Sequence, residues 1–356
     1  MGRPLDLPGR RKLLRQPLAE RREAKIAELN VGVFVPQGWR MDLADVPDPI
    51  EKFETMSRCA TEAERAGFDA IWVYDHFHTI PTPQLEATFE CWTSMAALAR
   101  DTSTIRLGQM VTCNGYRPPS LLAKMASCVD VMSHGRLILG IGAGWYQHEY
   151  EAYGYEYPET PERLRMLREA LQVIKAMWTQ DHAQFDGRYY HLRGAINEPK
   201  PVQKPHPPIW IGGAGEKVTL KLVAQYGDAC NFNADVETVR HKLDVLREHC
   251  AAVGRDYDSV LKTIEFYAIL GDKREVDRVV SNTARRAGQD EGFIRSWYPW
   301  FGDANHIARG IQEYVEAGIE YVIVNLPNGF EGGVISRFAE EVFPRLGLSP
   351  ASNPRK

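Results

Sequence analysis

The sequence predicts an α/β fold, a (βα)8 barrel built as one large domain. Short runs of β-branched and aromatic residues alternate with amphipathic segments between residues 30 and 345, which is typical of repeated βα units around a parallel sheet. Eight such runs occur, and eight parallel strands are the number that closes this kind of barrel. The chain has 356 residues, 44% hydrophobic and 25% charged, which is enough apolar material for a single large core.

The eight predicted strands are separated by segments long enough to hold helices. In chain order the strands cover residues 30–36, 68–74, 104–111, 136–141, 208–211, 228–232, 263–270 and 320–325. In segment 160–178, apolar residues recur every three or four positions, Thr160 is suited to cap the helix and Pro161 to its first turn. Asp303 is expected to cap the helix that precedes the eighth strand.

Two connections between predicted strands are unusually long. About 65 residues separate the fourth strand from the fifth, whereas such loops usually have about 2–6 residues. A second long connection follows the seventh strand and contains the aromatic run 297–301. Insertions at the carboxyl ends of barrel strands are where this fold places its specificity, so both segments are candidates for substrate contact.

Short segments flank the predicted barrel domain, which covers residues 30–347. Residues 1–29 form a basic N-terminal extension, in which Arg and Lys outnumber Asp and Glu. We interpret it as a partly disordered or surface-draped extension, with a partner-binding or subunit-embracing arm as the alternative. Residues 348–356 form a C-terminal tail.

Charge and cysteine content disfavour several classes of function. The 43 basic and 47 acidic residues give a net charge of -4, so no overall positive field attracts nucleic acid. The six cysteines lack C-x-x-C or disulfide-like spacing, which suits reduced thiols in a cytoplasmic protein. No apolar run approaches the length of about 20 residues that spans a bilayer, and no secretory signal is evident. We therefore expect a cytoplasmic protein that acts on a small molecule.

The second predicted strand runs into the sequence Tyr74-Asp75-His76-Phe77-His78. This position is the catalytic face of a barrel, which makes His76 a candidate proton-transfer group. The His76-x-His78 spacing also matches metal-dependent hydrolases. A metal centre would need further ligands from other strand ends, yet the fourth and fifth strands end in glycines and the eighth in Asn325. No metal site is therefore predicted.

Two glycine-rich turns follow the fourth and fifth predicted strands. They read Gly142-Ala143-Gly144-Trp145-Tyr146 and Gly212-Gly213-Ala214-Gly215-Glu216-Lys217. Glycines there permit positive φ and close approach of a ligand to the backbone, and the second turn leads into a helix N-terminus suited to a phosphate. Each turn alone also fits a simple tight connection, but both at one mouth favour a phosphorylated cofactor. A Rossmann site is disfavoured because no G-x-G-x-x-G opens a helix with an acidic residue about 20 positions on.

Several motifs recur in a fixed order along the chain. They are Glu64 to Phe77, Leu107 to Thr112, Leu122-Ala123-Lys124, Asp130, Ser133 to Arg136, Gly142 to Tyr146 with Glu149-Tyr150, Pro201-Val202-Gln203, and Pro208 to Gly213. In this order the chain resembles the bacterial luciferase-like barrel superfamily, and within it the branch that uses the deazaflavin coenzyme F420. The resemblance covers roughly residues 30–345 and is more specific than any single motif.

The resemblance implies a deazaflavin lying across the barrel mouth, with its ring near the second, third and fourth strands. It also implies a non-prolyl cis peptide within Met110-Val111-Thr112, with Asp75 and His76 facing the ring and substrate and 212–217 holding the phosphate. The residues expected to bind the cofactor are Asp75, Met110, Val111, Thr112, Asn114, Gly142, Ala143, Gly144, Trp145, Gly212, Gly213, Ala214, Gly215, Glu216 and Lys217.

The chain departs from the family pattern at the expected general acid. Some relatives carry a glutamate directly after the Gly-x-Gly of the fourth strand, where this chain has Trp145, and the nearest acid is Glu149. The catalytic candidates are therefore His76, Asp75 and Glu149, with His76 or Glu149 delivering the proton. The aromatic residues Trp39, Trp297 and Trp300 are candidates to roof the ring and contact substrate, with plain packing as the alternative.

The function implied by the resemblance is hydride transfer between reduced F420 and a small organic substrate. One alternative keeps the fold but uses FMN, as a two-component monooxygenase with a separate cofactor reductase. F420 predicts turnover that does not depend on oxygen, whereas FMN predicts a reaction that consumes oxygen. A second alternative is a barrel that binds the cofactor without turnover, as a carrier or sensor. Relatives often form dimers, and the resemblance leaves a homodimer open for this chain.

Overall fold

Eight parallel strands form a closed barrel in the structure, a computed structural model that describes residues 29–349. The barrel strands are β1 (Asn30–Phe34), β2 (Ala70–Val73), β3 (Arg106–Gln109), β5 (Leu137–Gly142), β8 (Ile209–Gly212), β9 (Ala229–Phe232), β10 (Leu261–Leu270) and β12 (Tyr321–Asn325). They pair in the order β10, β12, β1, β2, β3, β5, β8 and β9, and pairing of β9 with β10 closes the ring. The predicted (βα)8 barrel and all eight predicted strands are confirmed. The predicted extension and tail lie almost entirely outside the described residues.

Four short strands accompany the barrel. Strand β4 (Thr112–Cys113) continues the line of β3 and pairs with β5, whereas β11 (Trp300–Gly302) pairs with β10. Strands β6 (Ala183–Asp186) and β7 (His191–Ala195) form a separate antiparallel hairpin. The helices are α1 (Pro49–Ala66), α2 (Cys91–Asp101), α3 (Pro119–Met132), α4 (Gln147–Ala152), α5 (Thr160–Thr179), α6 (Thr219–Tyr226), α7 (Val236–Ala252), α8 (Lys273–Ala287), α9 (Glu291–Trp297), α10 (Ala304–Ala317) and α11 (Val334–Val342).

The two long connections contain regular structure. The connection from β5 to β8 holds α4, α5 and the β6–β7 hairpin, and the one from β10 to β12 holds α8, α9, β11 and α10. The prediction that Asp303 caps α10 is confirmed, since its carboxylate accepts a hydrogen bond from the His306 N–H. The prediction for Thr160 is wrong: α5 begins at Thr160, and no side chain caps its N-terminus.

Large aromatic side chains fill the inside of the barrel. The indole of Trp72 lies 4.7 Å, centroid to centroid, from that of Trp210, and both pack beside Tyr321. A Cβ atom on Gly32 or Gly108 would lie 2.4 Å from the Trp72 ring, so glycine is required at these two strand positions for the ring to fit. The barrel interior is therefore a packed core, and a ligand site belongs at its mouth.

Candidate active site

The carboxyl end of β2 brings His76 next to Glu149 of α4. The His76 Nδ1 atom lies 2.8 Å from a Glu149 carboxylate oxygen. The imidazole stacks on the indole of Trp39 at 4.2 Å with an interplanar angle of 3°. Trp145 and Tyr146 approach the same imidazole edge-on at 5.6 and 5.8 Å. His76 is thus held by one carboxylate and three aromatic rings in the loops that follow β1, β2 and β5.

Glu149 is a buried carboxylate with several hydrogen-bond donors. Besides His76, it accepts hydrogen bonds from the N–H groups of Phe77 at 2.6 Å and His78 at 2.8 Å, and from the Tyr116 hydroxyl. Burial alone would raise its pKa, but the bonds from His76, Tyr116 and His78 outweigh burial and hold the pKa below its usual value. Glu149 is therefore an ionised group that orients His76 and fixes the proton on Nδ1.

Asp75 faces Arg117. Its two carboxylate oxygens accept hydrogen bonds from the guanidinium at 2.7 and 2.9 Å, and one of them also accepts from the Cys113 N–H at 2.9 Å. Arg117 in turn donates to Glu90. A carboxylate bound in this bidentate way is held in one position. Asp75 therefore ties the end of β2 to β4, and its catalytic role stays a prediction.

The peptide bond between Met110 and Val111 is cis, which is the non-prolyl cis bond that the resemblance implied. The Val111 side chain projects towards the ends of β5 and β8. A Cβ atom on Gly142 or Gly212 would lie 2.7 Å from a Val111 methyl carbon. These two glycines therefore make room for a protein side chain, and their contact with a ligand stays a prediction.

The turn after β8 keeps an open helix end. Gly213 adopts a positive φ of 118°, and α6 begins at Thr219 without a side-chain cap. Glu216 pairs with Lys242 and His241 of α7, so its carboxylate is directed towards that helix. The other members of the turn are Ala214, Gly215 and Lys217. The uncapped N-terminus of α6 retains the donor geometry that a phosphate requires.

Among the buried polar side-chain atoms of residues 29–349 that have no hydrogen-bond partner, three lie close together in the sequence after β3 begins. They are Gln109 Nε2, Thr112 Oγ1 and Asn114 Oδ1. All three side chains lie on the segment that carries the cis peptide bond, and buried polar atoms in native proteins are normally paired. A ligand that paired with all three atoms would need both donors and acceptors along its edge.

A second polar cluster lies across the mouth and was not predicted. Arg40, in the loop after β1, donates to the Tyr267 hydroxyl at 2.9 Å, and that hydroxyl donates to Glu265. Asn231 lies 3.4 Å from the other carboxylate oxygen. Burial raises the pKa of Glu265, and the bonds from Tyr267 and Asn231 offset it only partly. The sequence could have indicated Glu265, because side chains alternate along a strand and this alternation places Glu265 on the inner face of β10, opposite the outward-facing Phe266.

Two of the three predicted substrate tryptophans lie at the mouth. Trp39 stacks on His76, and Trp297 lies beside Arg40, whose guanidinium carbon is 5.0 Å from the ring centroid. Trp300 instead stacks on Phe266 at 5.5 Å and packs against Gly310 of α10. This position is between the barrel and its outer helices, which favours the alternative of plain packing for Trp300.

Tyr116 and Arg117 were also missed by the sequence analysis. Both residues follow the third barrel strand. His76 was selected because it is a polar side chain at the carboxyl end of a strand, and the same reasoning would have selected these two.

Within the described range, no group of three or more His, Cys, Asp or Glu side chains is arranged to hold a metal ion. Nor does any helix in that range have the length and apolar character needed to cross a bilayer.

The closed parallel barrel, with its polar groups gathered at the carboxyl ends of the strands, defines the class of (βα)8-barrel enzymes. Residues 29–288 match the model of one family, luciferase-like monooxygenase. The chain therefore belongs to the luciferase-like monooxygenase family.

Curated relatives and solved structures extend this result. An F420-dependent glucose-6-phosphate dehydrogenase from Amycolatopsis mediterranei (strain U-32) is 29% identical over 81% of this chain and 92% of its own length. The backbone superimposes on an F420-dependent secondary alcohol dehydrogenase solved with an F420-acetone adduct, with a TM-score of 0.74 at 22% identity over 89% of this chain and 99% of that one. EDTA monooxygenase from Chelativorans sp. BNC1 gives a TM-score of 0.75 at 16% identity over 92% and 96%. At these identities the two solved structures establish the fold.

Proposed function

We propose that this protein is an F420-dependent oxidoreductase that moves a hydride between the deazaflavin and a small organic substrate. The observation that carries the proposal is the His76–Glu149 pair placed beside the cis Met110–Val111 bulge at the mouth. Relatives that match over 81% of this chain are named as F420-dependent dehydrogenases, which supports the same cofactor here.

The mouth fits a deazaflavin on the properties of its own residues. The unpartnered atoms Gln109 Nε2 and Thr112 Oγ1 suit the polar edge of a ring system that both donates and accepts hydrogen bonds. The uncapped N-terminus of α6 suits the phosphate. Of the predicted binding residues, Trp145 is exposed and edge-on to His76, which makes it available to cover a ring.

The chemistry is divided between the cofactor and His76. When bound, F420 supplies or accepts the hydride. His76 exchanges the accompanying proton through Nε2, because Nδ1 is held by Glu149. Trp39, stacked on the imidazole, keeps the ring in one orientation and excludes water from that face.

Cofactor titration tests the proposal directly. Purified protein is titrated separately with F420 and with FMN while cofactor absorbance and fluorescence are followed. We expect saturable binding of F420, and then F420 reduction or oxidation with members of a panel of alcohols and ketones at a rate independent of oxygen. Tight binding of FMN with oxygen consumption would establish the two-component monooxygenase instead. Binding of F420 without turnover of any panel member would favour the carrier role.

A further inference from the structure

A cavity of about 310 Å³ lies beside the barrel mouth, apart from the His76 site. It begins at Asn114 and Ala143, which follow β4 and β5, and extends to Arg163 and Met166 in the first two turns of α5. Neither the turn at 212–217 nor His76 lines it. Because Asn114 and Ala143 also border the predicted ring site, the cavity is within reach of the side chain of a cofactor whose ring lies at the mouth.

Arg163 gives this cavity a buried positive charge. The side chain is 7% exposed. Its guanidinium donates to the Pro158 carbonyl at 2.5 Å and the Thr160 hydroxyl at 3.1 Å, and it lies 4.0 Å from the centroid of the Tyr157 ring. None of these partners is a carboxylate, and the Nε atom has no partner in the described part of the chain. A buried cation whose direct partners are all neutral favours an anionic ligand.

Two further features of the lining select the ligand. Asn114 is 3% exposed and donates to the Tyr190 hydroxyl at 3.3 Å, while its Oδ1 accepts no bond from residues 29–349. This oxygen requires an N–H or O–H donor. The N-terminus of α5, which carries no side-chain cap, adds a partial positive charge near Arg163. Glu156 is the single acidic residue in the lining, and it is exposed, where solvent screens its charge.

We propose that the cavity binds a chain carrying an amide and a carboxylate, with the carboxylate against Arg163 and the amide N–H towards Asn114. F420 carries such a chain, a glutamyl tail beyond its phosphate, whereas FMN ends at the phosphate. The inference rests on the proposed function and assigns the phosphate and the tail to different places. The phosphate lies at the N-terminus of α6, and the tail lies between α4 and α5.

The test measures dissociation constants by deazaflavin fluorescence and needs no substrate. Three ligands are compared: F420, its glutamate-free phospholactyl form, and the deazariboflavin core without phosphate or tail. Arg163→Gln is expected to weaken F420 binding about tenfold or more, the loss of one charge-assisted contact, and to leave binding of the core unchanged. Arg163→Lys should recover part of the affinity. Arg165→Gln removes the same charge from an exposed position on α5 and should bind F420 like the wild type.

The comparison of ligands on the wild-type protein separates the tail from the phosphate. Removal of the glutamates alone is expected to weaken binding, and equal affinity for F420 and the glutamate-free form would overturn the inference. If Arg163→Gln weakens the binding of F420 and of the core equally, Arg163 only supports the fold, and this result would also overturn the inference. If Arg163→Gln fails to fold, the ligand series on wild type and Arg163→Lys still decides. Failure of the wild type to bind both F420 and the core would overturn the proposed function itself.

Discussion

Glu149 and Glu265 are two acidic side chains at the same barrel mouth, but their surroundings have opposite effects on their charge. Glu149 is fully buried and accepts bonds from His76, the Tyr116 hydroxyl and two main-chain N–H groups, and its pKa is held below the usual value. Glu265 is only half-buried, yet the bonds from Tyr267 and Asn231 do not offset burial, and its pKa is raised. The balance between desolvation and the hydrogen bonds that each carboxylate accepts therefore sets the direction in which its pKa moves.

This difference indicates where we expect proton chemistry at the mouth. On the Glu149 side, a carboxylate with a lowered pKa holds the imidazole of His76 through Nδ1. On the opposite side, Glu265 is connected to the Arg40 guanidinium through the Tyr267 hydroxyl, which places a cation and a carboxyl group with a raised pKa in the same wall. The first side is suited to move a proton, and the second to present polar groups to a substrate.

The largest expected effect tests the assignment of proton transfer to the Glu149 side. His76→Ala is expected to lower kcat by about 10²–10⁴-fold, because it removes the proton-transfer group. The measurement follows F420 absorbance with the panel substrate that the wild type turns over fastest, and F420 affinity is measured in parallel. His148→Ala, an exposed histidine of α4, serves as the matched control. Wild-type turnover in His76→Ala would remove the assignment.

The second prediction concerns the contribution of Glu149 to the stability of the fold. Glu149→Ala is expected to lower the free energy of unfolding by about 3–5 kcal/mol, because it leaves several buried donors without an acceptor. Glu149→Gln should cost less, since its amide oxygen still accepts part of these bonds. Chemical unfolding monitored by circular dichroism gives the values. A loss as small as that of a surface substitution would show that the hydrogen bonds around Glu149 contribute little.

The pH dependence of stability is expected to have opposite signs for the two groups. The pKa of Glu149 is lowered on folding from its usual 4.5, so its stabilisation is present above that value and is lost as the pH falls through the folded pKa. The pKa of Glu265 is raised, so its contribution is present below the usual value and is lost as the pH rises through the folded pKa. The Tm difference between wild type and Glu149→Gln should therefore shrink between pH 6 and pH 3, about the range in which carboxylates titrate. A constant difference would contradict the lowered pKa.

The smallest effect is expected at Glu265. Glu265→Gln removes a carboxylate whose ionisation burial opposes, and it keeps an oxygen that accepts from Tyr267. At pH 7 the variant should be as stable as the wild type or more stable by about 1 kcal/mol, the free energy of one pKa unit. Thermal unfolding at pH 7 and pH 4 measures the effect. Destabilisation equal to that of Glu149→Gln would mean that both carboxylates are ionised and equivalently bonded.

Local patterns were sufficient to predict the strands and part of the mouth. The eight strands were predicted because a β-branched run between helical segments is a property of a few neighbouring residues. The same holds for Asp303 as a cap and for His76 at the end of β2. The cis bond at Met110–Val111 followed from the family resemblance. Thr160 was wrong because a helix end was assigned one position late, where local capping patterns are least specific.

The sequence by itself determined the barrel, the edge at which its chemistry lies and the candidate proton donor, because each depends on periodicity or on the end of a strand. Only the tertiary structure decided the partners. Glu149 meets His76 across 73 positions, and Arg40 meets Tyr267 across 227. The tertiary structure also pairs Asp75 with Arg117 and places Trp300 between the barrel and its outer helices. Such contacts depend on how distant segments pack in three dimensions, and no local pattern of residues encodes that packing.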